Sequence, residues 1–560
     1  MPAERLRVVL LWHMHQPLYR EPLGNEYLAP WSYLHGLKDY SDMAAHLENQ
    51  QDATAVVNFS PVLLDQLADY CRQLDDFLAG RGSLRDPLLA ALGEETLPTD
   101  PEARRDLTRA CLRLQRQRMV DPFPAFKTLA DMADWVLARP EAEGYIDGQH
   151  LIDLLVWYHL AWLGETVRRG EPRAMDLTDK GRDFTLDDRR RLLELIRDVL
   201  KSLVPRYRAL AGGSRIELSM NPYAHPILPL LLDFNSAREV HRDLPLPAAD
   251  RYPDGETRAR WHLERGKAIF RESFGATPIG CWPSEGAVSA AAISLLGQND
   301  LHWAATGQRV LLNSLKADSA PSDSVHRAYR LGGSDTALFF RDDELSDLIG
   351  FRYKDWHADD AVADLVTRLA AIAALEAEPG RVVTIALDGE NAWEHYPNNG
   401  YFFLSALYRA LSQDARFELT TFSRCLDDPA VKIRPLPQLK AGSWVFGDLT
   451  TWIGHPDKNR AWDMLVDAGN ACRDALASGG FSQAEVARIE NQLAVCEGSD
   501  WFWWPGDYNP EADVIQFERL YRLQLTGLYQ LIGQAPPDYL ETPFSHGNTQ
   551  AQGGVMRPAH

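Results

Sequence analysis

The chain has 560 residues, of which 45% are hydrophobic and 24% are charged, so it can bury a large core as a globular protein. A formal net charge of −21 argues against nucleic acid or an anionic membrane as the main partner, because phosphate-rich surfaces attract basic proteins. Six widely spaced cysteines without a CxxC pair indicate neither a zinc ribbon nor a dense disulfide framework, and they favour reduced thiols in a cytoplasm.

Seven β-type runs, separated by helical patterns, follow one another along the chain. Strands that alternate with helices predict βα units and a parallel sheet, and seven of them favour a closed or nearly closed barrel. The first run is too short for a secretory signal and has no cleavage site after it, so it is interpreted as the first strand. The runs are residues 7–14, 54–60, 215–220, 279–282, 302–306, 336–341 and 381–388.

Long helical patterns interrupt and follow these runs. Residues 107–119, 125–138 and 186–203 have helical periodicity, the last with Thr185 as N-cap and Asp188 three residues on, so about residues 80–210 are expected to form a helical insertion. The apolar residues 151–163 are too few to span a bilayer and predict a buried helix.

The domain boundaries follow from the same patterns. We expect a catalytic barrel in residues 1–400 and a C-terminal helical domain in residues 401–535 that contributes to the cleft, since the pattern after residue 401 is almost wholly helical. Pro, Gly, Asn and Gln accumulate without periodicity in residues 536–560, which predicts a flexible tail.

Two carboxylates, Glu285 and Asp388, each follow a β-type run and precede a glycine. Barrel enzymes place catalytic groups where strands end, so the two are expected at one mouth. Such a pair suits glycoside hydrolysis, in which one group attacks or stabilises the anomeric carbon and the other protonates the leaving oxygen. The alternative is that they are turn or cap carboxylates. Glu390 and Glu394 compete with Asp388 and are expected beside it rather than in its place.

Histidines lie near the same predicted mouth. His13 and His15 alternate on one strand, so both point to one face and could ligate zinc, as in a metal-dependent deacetylase. The other strands supply Glu217, Glu285 and Asp388 rather than further histidines, which favours hydrogen bonding to sugar hydroxyls over metal ligation. His225, in a proline-flanked loop, is equally compatible with a structural role and with substrate contact.

An aromatic run, residues 501–504, offers either core packing or flat indole faces that stack on glucose rings. We expect some of the four to be core and at least one to form the wall of a sugar subsite.

In these residues the chain resembles glycoside hydrolase family 57, whose members act on α-glucans, over about residues 7–530. The features fit the amylopullulanase and α-amylase branch better than the branching enzymes. The matching blocks are His13-Met-His-Gln-Pro17, residues 213–217 with 225–230, Trp282-Pro-Ser-Glu285, residues 340–347 with 349–351, Leu387-Asp-Gly-Glu-Asn391 with 393–396, Thr451-Trp-Ile-Gly454, and residues 497–504.

The resemblance implies an α/β fold with an incomplete seven-stranded (β/α) barrel and a retaining mechanism, with Glu285 as nucleophile and Asp388 as general acid/base. Pro505 and His455 depart from the family pattern and put substrate preference in doubt. The candidate substrate-binding residues are His13, His15, Gln16, Glu217, His225, Trp282, Asp347, Glu390, Trp393, Trp452, Asp500, Trp501, Trp503 and Trp504.

The expected activity is therefore hydrolysis of α-1,4 bonds, with α-1,6 bonds also open, in glycogen, starch or maltodextrin by double displacement. No cofactor and no metal are implied, and the oligomeric state stays open. Two alternatives remain: a 4-α-glucanotransferase that uses the same pair, and a non-catalytic glucan-binding protein. A retaining pair is expected to stand about 5–5.5 Å apart.

Overall fold

The computed structural model describes residues 4–139, 141, 147–315, 323–376 and 378–549. One sheet runs through it. Its strands are β1 (Leu6–Met14), β2 (Ala55–Phe59), β3 (Ile216–Met220), β4 (Gly280–Cys281), β5 (Trp303–Gly307), β6 (Tyr329–Leu331), β7 (Ala337–Arg341), β8 (Val382–Asp388), β9 (Phe417–Leu419) and β10 (Arg434–Leu436).

Seven of these strands form a ring in the order β1-β2-β3-β4-β5-β7-β8, and every neighbouring pair in it is parallel. The ring closes weakly between β7 and β8, where a single residue pair, Arg341 with Thr384, is in register. The incomplete seven-stranded barrel is confirmed, and all seven predicted β-type runs are its strands. They were recognisable because strands buried on both faces are continuous apolar runs.

Strand β1 lies at the centre of this arrangement. All nine of its residues are buried, and it pairs with both β2 and β8. The register aligns His13 with Asn58 on one side and with Asp388 on the other. Because parallel strands end at the same edge of a sheet, these three side chains converge at the carboxyl end of the barrel.

Three short strands were not predicted. Strand β9 pairs with Leu6–Val8 of β1, and β10 pairs with β6, which lies antiparallel to β7. Two of them come from residues 417–436, so the pattern predicted as almost wholly helical after residue 401 contains two sheet strands. Three residues are too few to show periodicity, and Pro435 suits only an edge position such as that of β10.

The helices fill the connections. They are α1 (Trp31–His35), α2 (Ser41–Asn49), α3 (Pro61–Leu78), α4 (Pro87–Gly93), α5 (Pro101–Ala110), α6 (Arg116–Met119), α7 (Pro124–Leu137), α8 (Gly148–Ala161), α9 (Glu165–Gly170), α10 (Pro172–Lys180), α11 (Leu186–Gly212), α12 (Leu228–Leu232), α13 (Gly255–Phe274), α14 (Ala290–Gly297), α15 (Gln308–Leu315), α16 (Asp343–Asp347), α17 (Ala358–Ala374), α18 (Tyr401–Gln413), α19 (Phe422–Asp427), α20 (Pro456–Ser478), α21 (Gln483–Cys496), α22 (Asp500–Trp503) and α23 (Glu511–Leu531).

Helices α3 to α11 lie between β2 and β3, where helical periodicity was predicted. The capping box at the start of α11 forms as expected: Thr185 and Asp188 each accept a hydrogen bond from the other's backbone N–H. One predicted segment is wrong, because residues 107–119 are not a continuous helix. Helix α5 ends at Ala110, and α6 begins at Arg116 with the Gln115 side chain as its cap, so Arg113 lies in a turn.

The chain after α23 continues along the C-terminal helices. Leu540 is buried, and Ser545 donates a hydrogen bond to Asp457 at 2.8 Å and accepts one from the Gly506 N–H at 3.0 Å. The remainder of the predicted flexible tail, residues 550–560, lies outside the described residues. Across the described part of the chain, each helix is too short or too polar to cross a bilayer.

A buried ion network joins α13 to the segment that carries the aromatic run. Glu497 is fully buried and accepts hydrogen bonds from Arg258 at 2.8 and 2.9 Å, from His262 at 2.7 Å and from Tyr252 at 2.6 Å. Burial opposes the charge of Glu497, but the Arg258 charge and the other donors prevail and lower the pKa of this carboxyl to about 2. The network therefore anchors residues 497–504 to the barrel.

We expect Glu497→Gln to lower the free energy of unfolding at neutral pH by about 3–5 kcal/mol, because it leaves the buried Arg258 charge uncompensated. The folded pKa lies below the ordinary value of 4.5, so the stabilisation is present above that pH and is lost as the pH falls towards about 2. Urea titrations of both proteins across this range measure the effect.

The matched control is Glu256→Gln, which breaks an exposed pair with Arg260 on the same helix. Its effect should stay below about 1 kcal/mol. Equal effects of the two substitutions would contradict the assignment of Glu497 as an anchor.

Candidate active site

A cavity of about 330 Å³ opens at the carboxyl ends of the barrel strands. Its lining joins residues from β1, from the loops after β3, β4 and β8, and from the C-terminal helices. Of the residues predicted from the sequence, it brings together His13, His15, Gln16, His225, Glu285, Asp388, Glu390, Asp500, Trp503 and Trp504.

Glu285 lies in a tight turn after β4. Its backbone has φ 57°, and Gly286 after it has φ 57° as well, so two successive residues are left-handed. This conformation is costly for a residue with a Cβ and is typical of functional sites. Trp444 Nε1 donates a hydrogen bond to Glu285 Oε2 at 3.2 Å, and Ser499 Oγ lies 3.4 Å from Glu285 Oε1. The left-handed backbone turn and these side-chain contacts together hold the Glu285 carboxyl group so that it faces the cavity.

Asp388 is the last residue of β8. Asn391 Nδ2 donates a hydrogen bond to its Oδ2 at 2.9 Å. Arg341, which also lines the cavity, donates to Ala386 O at 2.9 Å and to Asp343 and Asp347 at 2.9 and 2.6 Å. The guanidinium thus spans the weak β7–β8 closure and lies near the Asp388 carboxylate.

Both carboxyls resist ionisation. Burial, and after it the charge of Asp388, raises the pKa of Glu285 to about 8. Burial likewise raises the pKa of Asp388 to about 6, although the Asn391 hydrogen bond and the nearby His15 and Arg341 lower it. Because the pKa of Glu285 is raised further than that of Asp388, a proton near neutral pH stays mainly on Glu285.

A hydrogen-bonded chain is consistent with a protonated Glu285. Asn58 Nδ2 donates to Ser219, so its oxygen accepts from His13 Nδ1 at 2.7 Å, and His13 Nε2 is then the acceptor for His225 Nε2 at 3.1 Å. His225 Nδ1 in turn accepts from Ser499 Oγ at 2.8 Å.

These histidine tautomers require both imidazoles to be neutral. Burial lowers the pKa of His13 to about 3 and that of His225 well below its ordinary value. With its proton committed to His225, Ser499 satisfies Glu285 best as an acceptor, which requires the Glu285 proton. The chain from Asn58 to Ser499 therefore favours the protonated form of Glu285.

His15 belongs to a second set of contacts. Its Nδ1 lies 2.9 Å from Ser60 Oγ, and its Nε2 lies 3.0 Å from Asp500 Oδ2. The His15 ring stacks on the His225 ring with centroids 3.7 Å apart and planes 15° from parallel. Asp500 comes from the C-terminal region, so this contact ties α22 to the barrel strand.

His15, His225 and Asp500 are also the residues that could hold a metal ion, since each offers a ligand atom within 4.8 Å of the others. The arrangement fits an ion poorly. Stacked imidazoles direct their nitrogen lone pairs side by side, whereas zinc requires them to converge at tetrahedral angles. Each of these nitrogens already faces another hydrogen-bonding group of the site. The geometry suits hydrogen bonding better than metal ligation.

Glu390 closes the floor of the cavity beside Asp388. Its Oε1 accepts from Gln16 Nε2 and from the His15 N–H, both at 3.3 Å. Burial, and after it the charge of Asp388, raises the pKa of Glu390 well above its ordinary value. Burial and the neighbouring Asp388 thus both disfavour a negative charge on Glu390.

Aromatic side chains form two walls of the cavity. One wall consists of Trp31, His35 and Trp162, whose rings lie 5.4–6.5 Å apart. The other consists of Trp503, Trp504 and Phe517, of which the last two stack with centroids 4.9 Å apart. Flat apolar faces above a polar floor are typical of sites that bind sugar rings.

Six predicted substrate-binding residues do not line the cavity. Glu217 is the second residue of β3, near the strand's amino end, where it bonds Trp303 and Ser423. Asp347 pairs with Arg341. The four others, which pack in the interior instead, are Trp282, Trp393, Trp452 and Trp501.

Several residues of the site were not predicted from the sequence. Trp444, which bonds Glu285, comes from an irregular segment after β10 and carries no sequence signal beyond the preceding Gly442 and Ser443. Ser499 and Asn391 lay inside recognised blocks but were passed over for their acidic neighbours. Arg341 could have been predicted as a residue of the site, because it is the last residue of a predicted strand.

The comparisons with known proteins agree with this geometry. The model of glycosyl hydrolase family 57 matches residues 9–436, which include Glu285 and Asp388. Among curated proteins none matches the chain. The fold is similar to a family 57 branching enzyme from Thermococcus kodakaraensis, with 15% identity, TM-score 0.54 and coverage of 94% of this chain and 90% of that one.

Two further solved structures share the fold. The α-amylase AmyC from Thermotoga maritima has 14% identity and TM-score 0.54, with coverage of 94% of this chain and 93% of that one. The 4-α-glucanotransferase from Thermococcus litoralis has 12% identity and TM-score 0.50, with coverage of 94% and 60%. At these identities the likenesses show the fold and leave the reaction open.

Coupling of the two carboxyls gives a testable expectation. Replacing Asp388 with Asn removes the negative charge that raises the pKa of Glu285, so the Glu285 midpoint should fall from about 8. The carboxyl ¹³C chemical shift of labelled glutamate, assigned to Glu285 by its loss in Glu285→Gln, reports this midpoint. Asp474→Asn, on the exposed face of α20, is the control and should leave it unchanged. An equal midpoint in wild type and Asp388→Asn would show that the carboxyls do not interact.

Proposed function

Because this chain belongs to glycosyl hydrolase family 57, we propose that it is a retaining α-glucan hydrolase that cleaves α-1,4 bonds of starch, glycogen or maltodextrin. The proposal extends to α-1,6 bonds in branched glucans, as in an amylopullulanase. The observation that carries it is the convergence of Glu285 and Asp388 on one cavity between two aromatic walls.

Charge on the lining supports a neutral substrate. Six carboxylate residues line the cavity, and the cationic side chains there are Arg113 and Arg341. This lining would repel phosphorylated or carboxylated sugars, whereas it would not repel an uncharged glucan. The acidic residues are Glu285, Asp388, Glu390, Glu394, Asp500 and Asp513.

In the proposed first step Glu285 attacks the anomeric carbon while Asp388 gives its proton to the departing glycosidic oxygen. The C–O bond to the leaving chain breaks as a C–O bond to Glu285 forms, which inverts the anomeric centre once. The reactive form requires Glu285 to be ionised and Asp388 to be protonated, so Glu285 has to lose its proton before it attacks.

In the second step Asp388 acts as a base. It removes a proton from water, whose oxygen displaces Glu285 and inverts the centre again, so the α configuration is retained. If the hydroxyl of a second sugar replaces water, the same residues carry out 4-α-glucan transfer. The aromatic walls favour this second candidate, because they can hold an acceptor sugar near the glycosyl-enzyme.

Incubating the purified protein with maltoheptaose and resolving the products by length tests the proposal. Shorter products alone mean hydrolysis, and longer products as well mean transfer. We expect the same pattern after dialysis against a chelator, because the mechanism needs no metal. Unchanged maltoheptaose would contradict an activity on α-1,4 glucans, and restoration of lost activity by zinc would favour metal ligation by His15, His225 and Asp500.

The two carboxylates should differ in their response to azide. Asp388→Asn should reduce hydrolysis of maltoheptaose by about 100-fold or more, but α-maltosyl fluoride needs little protonation and should still glycosylate Glu285. Azide, which needs no base, should then give the α-maltosyl azide. Glu285→Ala should also reduce turnover, and azide entering the vacated space should give the inverted β product.

The azide products are distinguished by proton NMR of the anomeric position. Exchanged outcomes would mean that the roles of the two residues are reversed. Loss of less than about 100-fold in both variants would place the catalytic carboxylates elsewhere. Thermal unfolding of each variant, compared with wild type, controls for loss of folded protein.

A further inference from the structure

A side-chain contact between Arg113 and Gln516 connects two sides of the cavity. Arg113 Nη2 donates a hydrogen bond to Gln516 Oε1 at 2.6 Å, and both residues line the cavity although they are 403 positions apart in sequence. Arg113 comes from the turn between α5 and α6, and Gln516 comes from the beginning of α23. The contact therefore spans the helices that follow β2 and the C-terminal helices.

Exposure places this contact at the outer end of the cavity. Arg113 is exposed and Gln516 is half-buried, whereas the cavity floor at Glu390 is 2% exposed. Each partner lies on the same side as one aromatic wall. Arg113 lies near Tyr158 of α8, the helix that Trp162 immediately follows, and Phe517 follows Gln516 along α23. Asp513, one turn before Phe517, also lines the cavity and lies near the Arg113 charge.

We infer that Arg113 and Gln516 form a bridge over the outer end of the cavity, and that this bridge sets chain-length specificity by favouring short malto-oligosaccharides and free chain ends over internal segments of long chains. The inference rests on the proposed function. An internal segment has chain continuing at both ends, so it enters only when the bridge is open. A short oligosaccharide or a free end can pass beneath it.

The strength of the contact sets the size of the effect. A hydrogen bond between an exposed guanidinium and an amide oxygen is easily broken, so the bridge opens and closes rather than covering the cavity permanently. Its removal should change the relative rates on long and short substrates by about threefold to tenfold. A charged partner at residue 516 should strengthen the contact. The ratio of the rates on long and short substrates can therefore be raised by removing the contact and lowered by strengthening it.

The test compares kcat/KM on amylose with kcat/KM on maltotriose in four variants and one control. Arg113→Ala and Gln516→Ala should each raise the amylose to maltotriose ratio by about threefold to tenfold, and the double variant should add little to either. Gln516→Glu should lower the ratio by forming an ion pair with Arg113, and this effect should fade in high salt. Arg109→Ala, which breaks an exposed pair with Asp106 on α5 outside the cavity, should leave the ratio unchanged.

A maltoheptaoside blocked at its non-reducing end gives a second readout. It offers no free end there, so wild type should cleave it poorly relative to the unblocked compound. Arg113→Ala should reduce this difference. Unchanged ratios in both alanine variants, with thermal unfolding equal to wild type, would overturn the bridge as a determinant of specificity.

Binding kinetics separate this inference from the proposed function. In a Glu285→Gln background, which removes turnover, stopped-flow tryptophan fluorescence follows the entry of the blocked maltoheptaoside, which needs the bridge to open. Adding Arg113→Ala should speed both association and dissociation by about threefold to tenfold, whether or not the wild-type protein hydrolyses glucans. Failure of wild type to cleave maltoheptaose, with this acceleration present, would overturn the hydrolase alone. Equal rates, or no binding of the blocked maltoheptaoside at all, would overturn the bridge.

Discussion

The site depends on the register of three parallel strands, β2, β1 and β8. This register sets Asn58, His13 and Asp388 side by side at the carboxyl edge of the barrel. A shift of β1 by one residue would turn the His13 side chain to the opposite face of the sheet, because successive side chains of a strand point to opposite faces. The apolar residues of β1, all buried, resist such a shift. The burial of β1 in the barrel core therefore also fixes the geometry of the cavity.

Burial at this edge produces the chemistry. Removing Glu285, Asp388 and Glu390 from water raises the pKa of each, so burial favours the protonated forms of these groups. The chain of hydrogen bonds from Asn58 to Ser499 then favours the proton on Glu285. The proposed reaction needs an ionised Glu285 and a protonated Asp388, so substrate binding has to reverse this preference.

The fold was largely predictable from the sequence, because strands buried on both faces are apolar runs and because Glu285 and Asp388 follow such runs. The placement of Glu217 was wrong, since the second residue of β3 lies at the amino end of the strand and the cavity lies at the other end. Trp444 and Arg113 were not predictable. Both reach the cavity from irregular turns, where side-chain direction depends on long-range packing rather than on local periodicity.

The central claim is that Glu285 and Asp388 act as nucleophile and acid/base in one retaining site. Trapping the covalent intermediate with a 5-fluoro-α-glucosyl fluoride, which slows the second step more than the first, tests it most directly. Peptide mass spectrometry should locate the sugar on Glu285. A label on Asp388 would reverse the roles, and an active protein with a label on neither residue would contradict the account.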